Sequence, residues 1–278
     1  MPLVDLLITT RGRPYLFDRS FRSLMTSTDR SLVRSTVVLD GVEDDVPVEP
    51  RSAAGLQVGV GTATLRLVDD FRRRGWIDNV IVHNVREGLG PSINQALAFI
   101  DAQNRYYEHP THGDPRSVAE FICYCQDDLD YSPGWLQKLF KFFTAFERRE
   151  RIGFASGVEC VEHPVNEVLM VQPPIVSKDW IRAANMFGRR SYWMSMWPIP
   201  RLDPETNRVR AHPSDGIGSG VDWHFIRNHP NSVVRSGRTC LVLPGLLRHA
   251  GFRNSSWLDR ALPESNADVA MIDAVEGS

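Results

Sequence analysis

Lysine is nearly missing from this chain. Lys138, Lys141 and Lys178 stand alone among 32 basic residues in a length of 278, so cationic chemistry rests on arginine. GC-rich coding accounts for such a bias, and the planar guanidinium also suits bidentate phosphate contacts. Cysteine is scarce too. Cys123, Cys125, Cys160 and Cys240 form no CxxC pair and no regular framework, which excludes a disulfide scaffold. They read as small core residues in a reducing compartment, the first two on opposite faces of a buried strand. A net charge of −2 leaves no electrostatic footprint for non-specific nucleic-acid binding. No run of about 18 apolar residues exists, which argues against a membrane span. The opening MPLVDLLITTRGR lacks a charged region followed by an apolar one, so it is not read as a signal peptide, and a cytoplasmic chain is expected. There is no internal repeat.

What is present is an ordinary soluble composition, 42% hydrophobic and 24% charged, long enough for one large α/β domain or a domain with a smaller lobe. Val4–Thr10 (VDLLITT) is a β-prone apolar run ended by Arg11-Gly12-Arg13-Pro14, with Pro14 opening a helix on Phe17, Phe21, Leu24 and Met25. Residues 35–39 (STVVL) form a second strand that stops at Asp40-Gly41, and an acidic, proline-bearing loop follows. Residues 63–74 read as a helix with Arg72, Arg73 and Arg74 near its C-terminus, where cations suit the dipole. Asn79–His83 is a third strand, residues 87–91 (EGLGP) turn into a helix over 92–101, and 102–118 is a polar excursion. Strand and helix alternate through this half, which predicts a mostly parallel sheet covered on both faces.

The stretch 121–136, FICYCQDDLDYSPGWL, carries the strongest chemical signal. Five apolar residues make a strand buried on both faces, and three carboxylates in four residues follow at once. Carboxylates at the end of a buried strand are costly unless a cation or solvent compensates them. Pro133 then opens a helix bearing Trp135, Leu136, Leu139, Phe140 and Phe143. Open α/β sheets bind ligands at their carboxyl edge, and a hard divalent ion bridging phosphates fits this donor set. After a short strand at 152–157 the chain becomes loop-rich and holds five of its seven tryptophans (180, 193, 197, 223 and 257). A further strand-like run covers residues 239–244, and residues 260–278 lose apolar periodicity.

Six segments, LLITTRGRP (6–14), VVLDG (37–41), EGLGPSIN (87–94), CQDDLDYSPGWL (125–136), GVDWHFIR (220–227) and LLRHAG (246–251), together resemble family 2 glycosyltransferases with the GT-A fold, over roughly residues 3–257. The resemblance implies a single Rossmann-like GT-A domain with a nucleotide-sugar-binding half (1–157) and an acceptor-binding and catalytic half (158–259), and the loss of periodicity reads as a flexible tail over 260–278. It implies nucleotide contacts from Thr10, Arg11, Arg13, Asp40, Gly90, Asn94 and Asp127, with Asp40 reading the base. Thr10 and Arg13 match the family's first turn, whereas Thr9, Arg11 and Gly12 replace its Pro, Tyr and Asn. The metal motif takes two frames, Gln126-Asp127-Asp128 or Asp128-Leu129-Asp130, and the first sets the acids directly at the strand end. In it Asp128 is the metal ligand and Gln126 replaces the family's first acid. Asp222 resembles the general base of inverting members, with Asp215 its competitor. His249 resembles the late His that approaches the metal or diphosphate, and Arg253, Ser255 and Trp223 are diphosphate or acceptor candidates.

The expected protein is therefore a metal-dependent transferase using Mn²⁺ or Mg²⁺. It moves a sugar from a nucleotide-diphosphate sugar, UDP-linked by preference, to an acceptor hydroxyl on a glycan, lipid-linked group, protein or nucleic-acid base. A sugar-1-phosphate nucleotidyltransferase is one rival, which would need a Gly-rich phosphate loop after the first strand; residues 9–14 carry one glycine. A non-catalytic nucleotide-sugar-binding protein of the same fold is the other, and Gln126 keeps it open.

Overall fold

The computed structural model describes residues 3–10, 14–42, 61–85, 87–111, 113–158, 164–181, 184–200 and 221–249. Arg11, Arg13, Cys160, Asp215, Arg253, Ser255 and the 260–278 segment lie outside these residues, as does the side chain of His249.

The first half follows the alternation: β1 (Val4–Thr10), α1 (Pro14–Thr26), β2 (Val33–Asp40), α2 (Gly61–Arg73), β3 (Asn79–His83), α3 (Leu89–Glu108) and β4 (Phe121–Gln126). A three-residue strand β5 (Leu129–Tyr131) precedes α4 (Trp135–Phe146). Then come β6 (Ile152–Ser156), β7 (Glu167–Met170), β8 (Ile175–Lys178), β9 (Asn185–Arg189), α5 (Arg190–Met194), α6 (Val221–Trp223), a π-helical turn at His224–Asn228, β10 (Thr239–Val242) and β11 (Leu247–His249). Among the described residues nine strands form one sheet in the order β3-β2-β1-β4-β9-β6-β10-β8-β7. The first four are mutually parallel, β9 enters antiparallel between β4 and β6, and β10 runs parallel to β6. The α/β class and the mostly parallel sheet are those expected.

Both faces are covered, which explains why β1, β2 and β4 are buried along almost their whole length. One core joins Leu6, Ile8, Phe17, Phe21, Phe71, Phe121, Trp135 and Phe143, and the other joins Leu7, Val38, Ile93, Ile122, Tyr124, Phe154, Trp193 and Phe225. Each large apolar side chain so buried stabilises the fold by about 1.5–3 kcal/mol. β9 fits its slot because Gly188 has no side chain: a Cβ there would meet Phe154 Cδ1 at 2.8 Å.

Three expectations need correction. Cys123 and Cys125 share a face, with sulfurs 3.7 Å apart, because side chains two apart on a strand point the same way. The segment 102–108 is helical, since Asn104 continues the buried stripe of α3 and bonds Asp5 Oδ2 and the Ala119 N–H. α4 starts at Trp135, not Pro133; Gly134 supplies a left-handed entry (φ 68°), and Trp135 Nε1 donates to Thr28 Oγ1 at 2.9 Å. Strands β7, β8 and β9 went unread because they are four or five residues long and carry no strong apolar alternation. Among the described residues no helix is long and apolar enough to cross a membrane.

Candidate functional site

β2, β1 and β4 are parallel neighbours, so Asp40, Thr10 and Gln126 end on the same edge of the sheet. Beyond Gln126 the chain turns through Asp127 and Asp128, which are 1% and 2% exposed. Thr10 Oγ1 donates to Asp127 Oδ2 at 2.6 Å, and Thr9 Oγ1 lies 2.9 Å from the Tyr124 hydroxyl. Burial pushes the Tyr124 phenol far up, and the negative charges of Asp127 and Asp128 push the same way. Tyr124 therefore stays a neutral hydrogen-bonding floor under the turn.

The turn is braced from two sides. β11 pairs antiparallel with β5, placing His249 opposite Leu129, Arg248 opposite Asp130 and Leu247 opposite Tyr131. On the other side α1 and the turn after it present serines: from α1, Ser20 Oγ accepts from Leu129 N at 3.1 Å and Ser23 Oγ accepts from Tyr131 N at 2.8 Å, and just beyond the helix Ser27 Oγ donates to Tyr131 O at 2.8 Å. These hydroxyls satisfy backbone groups that a three-residue edge strand otherwise exposes. The sequence analysis singled out none of these serines, because nothing marks their role until the partner strand is known.

Asp130 is engaged elsewhere. Arg19 Nε donates to its Oδ1 at 3.0 Å, Arg19 Nη2 donates to Oδ2, and Arg248 Nε lies 3.8 Å from Oδ2. Between the two frames of the metal motif, this leaves Asp127 and Asp128 as the buried acidic pair at the strand end. Adjacent buried carboxylates are hard oxygen donors of the kind a divalent ion takes. Among the described residues no group of three or more His, Cys, Asp or Glu side chains gathers as a complete metal cage. Donor atoms from a substrate would have to complete the shell, as is usual where Mg²⁺-type ions bridge phosphates.

Asp40 sits in a second, adjoining network. Its Oδ1 accepts from Glu87 N at 2.8 Å and lies 3.0 Å from His83 Nδ1, and its Oδ2 accepts from Gly88 N at 2.9 Å. Gly88, with φ 98° and ψ 169°, holds a conformation that essentially only glycine adopts, and its carbonyl accepts from both Ser92 N and Ser92 Oγ. The entry to α3 is thus clamped by the end of β2. Gly90 is buried in the first turn of α3. Asn94 is committed to backbone: its Nδ2 donates to Ile199 O and its Oδ1 accepts from Ile199 N, each at 2.8 Å. His83, Gln95 and Glu87 were not singled out from the sequence, because nothing in their spacing reveals that Asp40 is their partner.

Asp222 stands on α6, away from the acidic turn in sequence and on a different element. Val221, Phe225 and Ile226 anchor this segment in the second core, and Trp223 meets Trp180 edge-on at 4.5 Å, with Arg227 over its ring at 5.5 Å. Buried His224 lies with Nε2 2.7 Å from Met196 O, and burial depresses its pKa, which keeps it neutral. A cleft of about 370 Å³ opens at the other end of β4, beside Glu120 and Arg189. Its charges neutralise one another: Arg105 pairs with Asp101 at 2.7 Å, Arg189 with Glu120 at 3.6 Å, and Arg190 with Glu108. The acidic edge is therefore the stronger candidate for a site than this cleft.

The sequence matches no protein-family model and no curated protein. Solved structures resemble it at low identity. TarS of S. aureus aligns at 13% identity over 74% of this chain and 31% of its own, with a TM-score of 0.45. The mannosyltransferase PcManGT from Pyrobaculum calidifontis, in complex with GDP-Man and Mn²⁺, aligns at 14% over 72% of this chain and 48% of its own, with a TM-score of 0.46. GalNAc-T7 with UDP, GalNAc and Mn²⁺ aligns at 10% over 87% of this chain and 42% of its own, with a TM-score of 0.49. The chain spans less than half the length of each, and likeness at this level carries no functional weight.

Proposed function

We propose that this chain is a metal-dependent glycosyltransferase of the GT-A type, moving a sugar from a nucleotide-diphosphate donor to an acceptor hydroxyl. One observation carries the reading. The buried Asp127-Asp128 pair follows the central strand at the carboxyl edge, and the β5–β11 ladder sets the His249 backbone opposite Leu129, one residue beyond Asp128. Asp128 and His249 are the residues that would hold Mn²⁺ or Mg²⁺, which when bound supplies positive charge to a leaving diphosphate.

Thr10 and Asp127 bind the ribose in this reading. Asp40 reads the base through Oδ2, which has given one acceptor position to Gly88 N and retains a second. Gly90 and Asn94 shape the α3 turn beside the phosphates, and Arg11, Arg13, Arg253 and Ser255 are the further donor contacts. Asp222 takes the proton from the acceptor hydroxyl as it attacks the anomeric carbon in line, inverting the configuration. Trp223 lines the acceptor side. UDP is the favoured base carrier, and the reduced, buried Cys123, Cys125 and Cys240 accord with the cytoplasm.

Thermal unfolding in the presence of UDP- and GDP-sugars, with and without Mn²⁺, tests the proposal. A specific donor at 100 times its Kd stabilises by about 2.7 kcal/mol. If no nucleotide sugar shifts the midpoint with metal present, the reading is wrong. Gln126, in the place of an acid, supports the second reading of a binder without turnover, and slow hydrolysis of the bound donor separates the two.

A further inference from the structure

His83 closes β3 beside the end of β2 and is 5% exposed. Its two ring nitrogens both face acceptors: Nδ1 lies 3.0 Å from Asp40 Oδ1 and Nε2 lies 2.9 Å from Gln95 Oε1. The Gln95 amide is oriented by its other end, where Nε2 donates to Glu87 Oε2 at 3.4 Å. An imidazole that donates from both nitrogens carries a positive charge. Held between β2 and α3, with a carboxylate on one side and an amide oxygen on the other, the ring is placed to be an imidazolium.

We propose that His83 is a positioning residue for the donor site, its imidazolium holding Asp40 and the Glu87–Gly88 turn in place so that donor affinity falls as the ring loses its proton. The proposal rests on the reading of Asp40 and the α3 turn as part of a nucleotide site. Asp40 bonds the ring and the two turn amides with the same carboxylate, so the charge on His83 bears directly on both. Loss of the Nε2 proton turns the Gln95 amide, so that its Nε2 faces the ring and lets go of Glu87. The same loss removes the positive charge that faces Asp40, so the bond tying the carboxylate to β3 weakens and the two turn amides are left on a less firmly held acceptor.

The charged groups facing the ring are Asp40 from β2 and Glu87 from the turn, while Gln95 from α3 is neutral. Burial lowers the ring's affinity for its proton, but the bonds to Asp40 and Gln95 and the charge of Glu87 outweigh it, and the pKa lies above its ordinary 6.5. A pKa raised on folding means that the clamp is complete below about 6.5 and is lost as pH climbs through the raised value.

Two measurements on the full chain test this. In the first, the His83 ring is titrated by NMR while hydrogen exchange at the Glu87 and Gly88 amides is followed, corrected for intrinsic rates. The ring should titrate above 6.5, with amide protection fading over the same range. A ring titrating at or below 6.5, or protection indifferent to it, overturns the proposal. In the second, the Kd of UDP, GDP and ADP with Mn²⁺ is measured from pH 6 to pH 9 for wild type and His83→Asn, whose amide gives Asp40 a neutral donor. Affinity of the wild type should weaken by about tenfold across this range beyond any change in His83→Asn, the size expected for one charge-assisted bond. Parallel pH curves overturn the proposal. If no nucleotide binds at any pH, the donor-site reading falls while the NMR result still decides whether His83 sets the turn.

Discussion

The Thr10 hydroxyl donates to Asp127 Oδ2 at 2.6 Å, joining the end of β1 to the acidic turn after β4. Both residues are buried, so the bond sits where solvent competes least and orients the carboxylate toward the sheet edge.

Removing that hydroxyl should cost both stability and donor affinity. Thr10→Val is expected to lose about 1–3 kcal/mol by denaturant midpoint, while Thr10→Ser retains most of it. An unchanged midpoint in Thr10→Val means that Asp127 is held by other contacts.

Asp128 should carry the metal dependence. Chelation with EDTA is expected to abolish transfer, and Asp128→Asn to raise the Mn²⁺ concentration needed for half-activity. Activity that survives EDTA rules the acidic turn out as a metal site.

A general base acts in the transition state, so Asp222→Asn should lower turnover by about 10²–10⁴-fold and leave donor affinity almost unchanged. If affinity collapses together with rate, Asp222 belongs to the nucleotide site. If neither moves, Asp215 becomes the base to test by the same substitution.

A buried ion pair at the opposite sheet edge gives a prediction about stability alone. Arg34 Nε and Nη2 donate to Asp5 Oδ1 and Oδ2 at 2.7 and 2.9 Å, with the Asp5 side chain fully buried. Arg34→Met should destabilise by about 3–5 kcal/mol, because it leaves a buried carboxylate uncompensated. Burial already holds the Asp5 carboxyl above its ordinary 3.8, outweighing the bonds from Arg34. The folded state thus binds this proton more readily than the unfolded one, and the Arg34→Met deficit should shrink as pH falls from 7 toward 5. Adding Asp5→Asn, which keeps a partner for Asn104, should recover much of the loss in urea titrations. A double variant no more stable than Arg34→Met removes the charge explanation.

The strands and helices of the first half were legible because their signals are local. β1 and β3 have the bounds their apolar runs predict, and β4 extends one residue past its own, to Gln126. The abrupt change from FICYC to QDD marked the end of the central strand, since burial and charge cannot share one position cheaply. The end of α3 was missed because Asn104, a polar residue, holds its buried stripe. The site was legible as a set of strand ends. Its bracing was not: nothing in the sequence singled out Ser20, Ser23 and Ser27, and His83 read only as the last residue of a strand.

By itself the sequence determined the strands and helices of the first half and where the acids fall, because periodicity and burial act over a few residues at a time. Only the tertiary structure decided that Leu247–His249 pairs with Leu129–Tyr131, that β9 runs antiparallel between β4 and β6, and that Asp40 shares its carboxylate with His83 and the Gly88 turn. Each is a hydrogen-bonding choice between segments far apart in the chain. Backbone donors and acceptors are alike at every non-proline position, so which of them meet follows from packing of the whole sheet and leaves no mark in local spacing.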